Sequence, residues 1–259
     1  MEVIHLRNIA IKIMYDGTQF HGWQYQPNGI TVQEIVENTL TKLISEDIKV
    51  IGCSRTDAGV HAAEFFFNFF SETKIPVEKI PYAFNNHLET PYISAISAYD
   101  VPIDFNSRFS SIGKRYIYKI HNSKTPNPFT DRYSWFFPYK LDIELMNKAS
   151  MHFIGEHDFS AFMAAGGSQK TTIRTIYKCN VSRNLEWDSD IFITVEANAF
   201  LYNMVRIITG TLCEVGTGKI KPEEIPYIIK SCNRSKAGMT APPQGLHLNK
   251  VFYPNELFL

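Results

Sequence analysis

The chain has 259 residues, 44% of them hydrophobic and 14% aromatic, and its 26 Lys and Arg balance 26 Asp and Glu. That length allows one large domain or two of ordinary size, each with a substantial core. The balanced charge excludes the globally basic surface common among nucleic-acid binders, and no apolar run approaches the roughly 20 residues of a membrane span.

Cys53, Cys179, Cys213 and Cys232 are scattered and form no C-x-x-C pair, a pattern of a reducing compartment rather than of a disulfide framework or zinc site. Met1–Arg7 lacks the layout of a secretory signal. The expectation is a soluble, cytoplasmic protein.

In chain order, Asn8–Tyr15 alternates with period two and predicts a strand. Tyr15-Asp16-Gly17 reads as a turn, with Asp16 a weaker catalytic candidate than Asp57 further on. Thr31-Val32-Gln33-Glu34 is a capping box, with Thr31 at the N-cap and Glu34 reaching back. It opens a helix whose apolar face is Val32, Ile35, Val36, Leu40 and Leu43. Asp47–Ile51 predicts a short strand, and the aromatic run from Ala62 to Phe70 a longer one. Pro76 starts a helix through Leu88, and Tyr92–Tyr99 predicts another strand. The first half ends near Val101-Pro102, which divides the chain into residues 1–105 and 106–259.

The second half opens with the strand Arg115–Ile120, followed by a proline-containing loop at 125–128. Asp142 caps a helix carrying Leu145, Met146, Ala149 and Phe153. Ile173–Val181 and Ile191–Ala197 predict a hairpin. Phe200–Val215 predicts a helix stopped by Gly216 and Gly218. A short helix from Pro222 and a strand from Leu246 to Tyr253 complete the chain. Strands outnumber long helices and regular crossovers are lacking, so the fold class is α+β, a mostly antiparallel sheet with helices on one side.

Charge is unevenly placed. Residues 105–124 hold Arg108, Lys114, Arg115, Lys119 and Lys124 with no acid, and residues 168–183 hold Lys170, Arg174, Lys178 and Arg183 with none. Each is an ordinary solvated edge or a local phosphate-contacting surface.

The loop between the two strands of the first half, Ser54-Arg55-Thr56-Asp57-Ala58-Gly59-Val60-His61, presents one carboxylate beside a cation and a flexible Ala-Gly pair. By spacing alone this is a tight turn in which Asp57 caps its own backbone, or a loop that brings Asp57 to a ligand. Other motifs carry less. Gly216-Thr217-Gly218-Lys219 lacks the first glycine of a P-loop, since position 213 is Cys213, and Ile220 stands where Ser or Thr must follow the lysine. His152 and His157 lack a zinc-binding pattern.

Arg55-Thr56-Asp57-Ala58-Gly59-Val60-His61 resembles the signature of the tRNA pseudouridine synthase A family. Tyr15–Gln24, Phe105–Ser110 with Lys114–Tyr118, Asn203–Gly210 and Thr240–Leu248 resemble its other motifs, in family order. The resemblance implies two α+β halves related by pseudo-symmetry, a continuous sheet and a central RNA-binding cleft. It implies a homodimer in which one tRNA touches both subunits, and isomerisation of uridine to pseudouridine at positions 38, 39 and 40 of the tRNA anticodon stem-loop. No cofactor, ATP or metal enters that reaction.

Residue by residue, the resemblance makes Asp57 the catalytic carboxylate, as nucleophile or base at the ribose. Arg206 becomes the arginine that pairs with it, where the residues alone read equally as a solvent-facing helix arginine. Tyr116 becomes the ring against the target base, Arg55 the arginine that helps displace the nucleotide, and Leu246 part of the pocket wall. Glu64-Phe65 and the bulky run to Phe70 depart from the family pattern. The departure implies altered packing, with a dimer contact as another use for the run. An N-glycosidase using the same aspartate and an RNA-binding module without activity are the competing functions.

Overall fold

The computed structural model describes residues 6–167, 171–184 and 189–254. Its strands and α-helices are β1 (Arg7–Tyr15), α1 (Val32–Ile44), β2 (Ile51–Gly52), β3 (His61–Ser71), α2 (Ile80–His87), β4 (Ile93–Val101), β5 (Gly113–His121), β6 (Trp135–Phe136), α3 (Ile143–Met151), β7 (Gly155–Asp158), β8 (Ile173–Arg183), β9 (Asp190–Ala197), α4 (Met204–Gly216), α5 (Ile225–Lys230) and β10 (Leu246–Phe252). The chain is α+β; β1 pairs antiparallel with β3 and β4, β2 with β3, β9 with β5 and β8, and β7 with β8, while β6 runs parallel to β5.

Two compact units form, Met1–Ile112 with Leu248–Leu259, and Gly113–His247. In the first, the strand order is β4-β1-β3-β10, with β2 also on β3. The last strand therefore returns to the first unit, which a division by chain order at residue 105 does not anticipate. Ile9, Ile11 and Ile13 of β1 face Phe69, Phe67 and Phe65 of β3 across the ladder, all fully buried. Each such side chain contributes about 1.5–3 kcal/mol by leaving water. Val32, Val36 and Leu40 of α1 and Ile80 and Phe84 of α2 complete this core. The Phe65–Phe70 run is thus interior except at its end: Phe65, Phe66, Phe67 and Phe69 are buried, Phe70 is exposed, and Phe66 packs edge-on against Tyr253 at 5.2 Å.

The Thr31 hydroxyl caps α1 by accepting from the Glu34 amide at 3.3 Å. Residues 47–50 do not form the expected strand. Their backbone is held by side chains of α1, because the Ile48 amide donates to Thr41 Oγ1 (3.2 Å) and the Val50 amide to Glu37 Oε1 (3.1 Å).

The second unit orders its strands β5-β9-β8-β7. Tyr116, Tyr118 and Ile120 of β5 sit opposite Val195, Ile193 and Ile191 of β9. Asp142 caps α3 as expected, accepting from the Leu145 amide at 3.0 Å. Asn147 of α3 makes two bonds to Val181 of β8, at 2.7 and 2.9 Å. Helix α4 is buried almost all round, as a helix with little polar surface must be. It begins at Met204 rather than Phe200, because Asn203 takes left-handed backbone, φ 60°.

Cys53, Cys179 and Cys213 are buried and Cys232 is exposed. Burial pushes the Cys179 thiol up to about 12 and raises that of Cys213 further. A thiol reagent at neutral pH is expected to label Cys232 within minutes and the other three only on unfolding, as mass spectrometry of the labelled peptides will show. Among the described residues no helix is long and apolar enough to cross a membrane.

Candidate active site

The loop carrying Asp57 is built by the segment that follows β1. Thr56 is buried, and its hydroxyl shares a 2.8 Å hydrogen bond with the Tyr15 hydroxyl. The Trp23 amide donates to the Thr56 carbonyl at 3.2 Å, and the Gly59 amide to the Phe20 carbonyl at 3.3 Å. Asp57 itself closes a turn through its carbonyl, which accepts from the Val60 amide at 3.1 Å. Gly59 at the third turn position has φ +76°, the conformation a type II turn requires there.

Close packing explains the glycines of the same segment. A Cβ on Gly17 would lie 2.0 Å from the Val60 carbonyl oxygen. One on Gly52 would meet the Trp23 ring at 2.5 Å. That ring stacks on Phe65 at 4.1 Å, a contact worth about 0.5–1.5 kcal/mol beyond the area it buries. His61, buried at the exit of the loop, accepts from the Gly17 amide through Nδ1 (3.1 Å) and lies 3.2 Å from Asp16 Oδ1. Asp16 accepts from both the amide and the hydroxyl of Thr18, at 2.9 and 2.6 Å. It is therefore a turn-capping residue, while Asp57 is half-buried and Arg55 beside it exposed.

In the second unit, Arg206 occupies the first turn of α4. A cation there opposes the helix dipole at a cost of about 0.3–1 kcal/mol, and no acid in that turn offsets it. The side chain is held in place. Nε donates to the Ala241 carbonyl and Nη1 to Asn203 Oδ1, each at 2.7 Å, while the Ala241 amide donates back to the Arg206 carbonyl at 3.1 Å. Asn203, whose side chain would ordinarily cap the helix, instead orients the arginine.

The 237–245 segment is itself pinned. Arg234 donates to the carbonyls of Ala237 and Gly238 and to Thr240 Oγ1, at 3.3, 3.0 and 3.1 Å. The buried Tyr118 hydroxyl donates to the Pro242 carbonyl at 2.7 Å, and burial holds that phenol protonated far above its usual range. A Cβ on Gly245 would strike the Tyr118 ring at 2.5 Å. Leu246 follows directly and is buried. Tyr116, two residues before Tyr118, is buried with Phe200 edge-on at 5.0 Å. Arg234 has no part in the sequence reading, and Asn203 enters it only as the first residue of a family motif, although an Asn immediately before an apolar helix run is a readable signal.

Arg55 and Asp57 thus share one loop of the first unit, and Arg206 is joined to the segment leading into Leu246 in the second. The basic segments are less available than their sequence implies. Arg115 pairs with Glu196 at 2.8 Å, Lys114 and Arg174 are buried, and burial lowers the pKa of Lys119. Arg108, Lys124 and Lys178 are exposed, and Lys170 lies outside the described residues.

The family model described as tRNA pseudouridine synthase matches residues 11–110 and 149–254. Arg55, Asp57, Arg206 and Leu246 fall inside those ranges, and Tyr116 lies between them. The chain is 50% identical over 248 residues to the tRNA pseudouridine synthase A of Thermoanaerobacter sp. (strain X514), covering 96% of this chain and 100% of that one. It is 46% identical to the protein of that name from Ruminiclostridium cellulolyticum and 45% identical to that from Caldicellulosiruptor bescii, with the same coverage. Matched over both units and along the full length of these relatives, the chain belongs to the tRNA pseudouridine synthase A family.

Proposed function

We propose that this protein isomerises uridine to pseudouridine at positions 38, 39 and 40 in the anticodon stem-loop of tRNA, as a cytoplasmic homodimer, with Asp57 as the catalytic carboxylate. The reaction breaks the N1–C1′ bond, turns the freed uracil and rejoins it through C5. Positive character grows at C1′ as the bond breaks, so a carboxylate beside the sugar stabilises the transition state. Asp57 acts there either as a nucleophile on C1′ or as a base at C2′.

The observation that carries this reading is the fixed Asp57 loop, in which backbone bonds, a buried Thr56 and a glycine turn present one half-buried carboxylate. Arg206 serves as the cation that keeps Asp57 ionised, and its bonds to Ala241 and Asn203 support a role that needs fixed geometry. Tyr116 lies against the target uracil, and Leu246 closes the pocket wall. Arg55, exposed beside Asp57, helps draw the nucleotide out of its stack, a step that chemistry on a paired base requires. No redox, ATP or metal step enters.

Incubation with unmodified tRNA followed by chemical mapping tests the assignment. Pseudouridine at 38–40 is the expected result, and conversion elsewhere alone contradicts the site choice. Binding is expected to weaken with salt, since each phosphate contact releases a counterion. With about three or four contacts from exposed cations, affinity falls roughly 30-fold or more between 50 and 200 mM salt. Filter binding across that range checks it, and a flat profile contradicts it.

A further inference from the structure

The loop between β4 and β5, residues 102–112, is tied to the interior of the first unit at its base and holds two side chains outward at its tip. The tie is a chain of buried polar groups. Asn8 of β1 donates to the carbonyls of Pro102 and Phe105, both at 2.9 Å. Asn68 of β3, with 0% of its surface exposed, donates to Asn8 Oδ1 at 2.9 Å and accepts from the Ser107 amide at 2.9 Å. The Tyr253 hydroxyl donates to the Ser107 carbonyl at 2.6 Å. Asparagine is a poor strand former, and a buried amide is tolerated only when hydrogen-bonded. Here two of them, among strands of Ile and Phe, fix a loop.

The tip is equally ordered. Asn106 Oδ1 accepts from the amides of Arg108 and Phe109, at 3.0 and 3.2 Å. The Ser110 amide donates to the Asn106 carbonyl at 2.8 Å, and the Asn106 amide to Ser110 Oγ at 3.1 Å. The Ser111 hydroxyl donates to the Arg108 carbonyl at 3.0 Å. This frame holds out Phe109, 77% exposed, with the Arg108 guanidinium carbon 5.4 Å from its ring centroid.

We propose that Arg108 and Phe109 form a preorganised RNA contact, in which Phe109 stacks on an unpaired nucleobase of the tRNA and Arg108 holds a neighbouring phosphate. A scattered exposed Phe needs no explanation. One whose backbone is fixed by a buried network, beside an exposed arginine and within a run of twenty residues lacking acid, has the two elements single-stranded RNA recognition uses, a π-face and a cation. Because the ordering of the loop is complete before RNA arrives, the contact forms at little entropic cost. The proposal rests on tRNA being the substrate and adds a contact outside the reacting residues.

The test compares wild type, Phe109→Ala and Phe109→Trp for affinity toward unmodified tRNA, with sedimentation and thermal unfolding alongside. Phe109→Ala is expected to raise Kd about 10-fold, within the range that loss of one base stack produces, with an unchanged unfolding midpoint. Phe109→Trp is expected to hold Kd within about 3-fold of wild type and to show added tryptophan emission quenched by tRNA. Unchanged affinity in Phe109→Ala overturns the proposal, and a shifted sedimentation profile in that case assigns Phe109 to a protein contact. If the emission added by Phe109→Trp stays unquenched at saturating tRNA, the proposal is overturned too. Failure of the wild type to bind or convert tRNA is a separate result, and it overturns the functional reading itself.

Discussion

Asp57→Asn is expected to lower the rate of pseudouridine formation by at least about three orders of magnitude while leaving tRNA affinity and the fold nearly unchanged. The amide is almost isosteric with the carboxylate, so the turn closed by the Asp57 carbonyl and Val60 persists. What is lost is the negative charge, and with it the nucleophilicity and basicity that the growing charge at C1′ or the proton at C2′ requires. A drop in tRNA affinity accompanied by near-normal turnover at saturation would assign Asp57 to binding. Single-turnover kinetics with excess enzyme separates the two, since there the rate reports chemistry at saturation.

Gly22→Ala is expected to cost much stability. Gly22 has φ +87°, and an added Cβ would lie 2.5 Å from the Thr56 carbonyl oxygen and 3.2 Å from the Asp57 carbonyl carbon. Both obstacles are backbone, which has no rotamer to change. Left-handed backbone costs an L-residue about 1 kcal/mol, and overpacking adds about 1–3 kcal/mol. A loss of about 2–4 kcal/mol is expected from those two terms together, read as a lower urea midpoint, with turnover reduced because the displaced atoms belong to the Asp57 loop. Gly218→Ala is the control: its φ is +78°, but nothing lies within 4 Å of the added atom. It is expected to cost only about 1 kcal/mol and to leave turnover intact. Equal losses in the two variants would contradict the packing argument.

Much of this fold was legible because local signals agreed. The Thr31 and Asp142 caps, the strand β1 and the hairpin of β8 and β9 all depend on neighbours in sequence, and all form. The failures have separate causes. Residues 47–50 have β-branched composition, yet Glu37 and Thr41 claim their amides. β6 has two residues and β7 four, too few for a period to register. Helix α4 starts late because Asn203 leaves helical backbone to hold Arg206.

The site divides in the same way. Asp57 could be read as a candidate from its loop, although the residues alone did not separate it from a turn cap. The roles given to Arg206, Tyr116 and Leu246 came only through family resemblance, since each has an ordinary structural explanation. The buried pair Asn8 and Asn68 escaped notice, although an amide inside a run of phenylalanines is a visible break in pattern. Its partners, 102–107 and Tyr253, lie too far along the chain for that break to name them.

The central claim is that the uracil cleaved from C1′ is retained and rejoined through C5, with Asp57 at the sugar. Unmodified tRNA carrying uridine tritiated at C5 tests it most directly. Rejoining at C5 expels that hydrogen, so the account predicts one tritium released to water per uridine converted, no free uracil, and a base still attached to every ribose of an unbroken RNA backbone. Release of free uracil with its tritium retained, leaving an abasic ribose, would contradict the claim and make the enzyme an N-glycosidase.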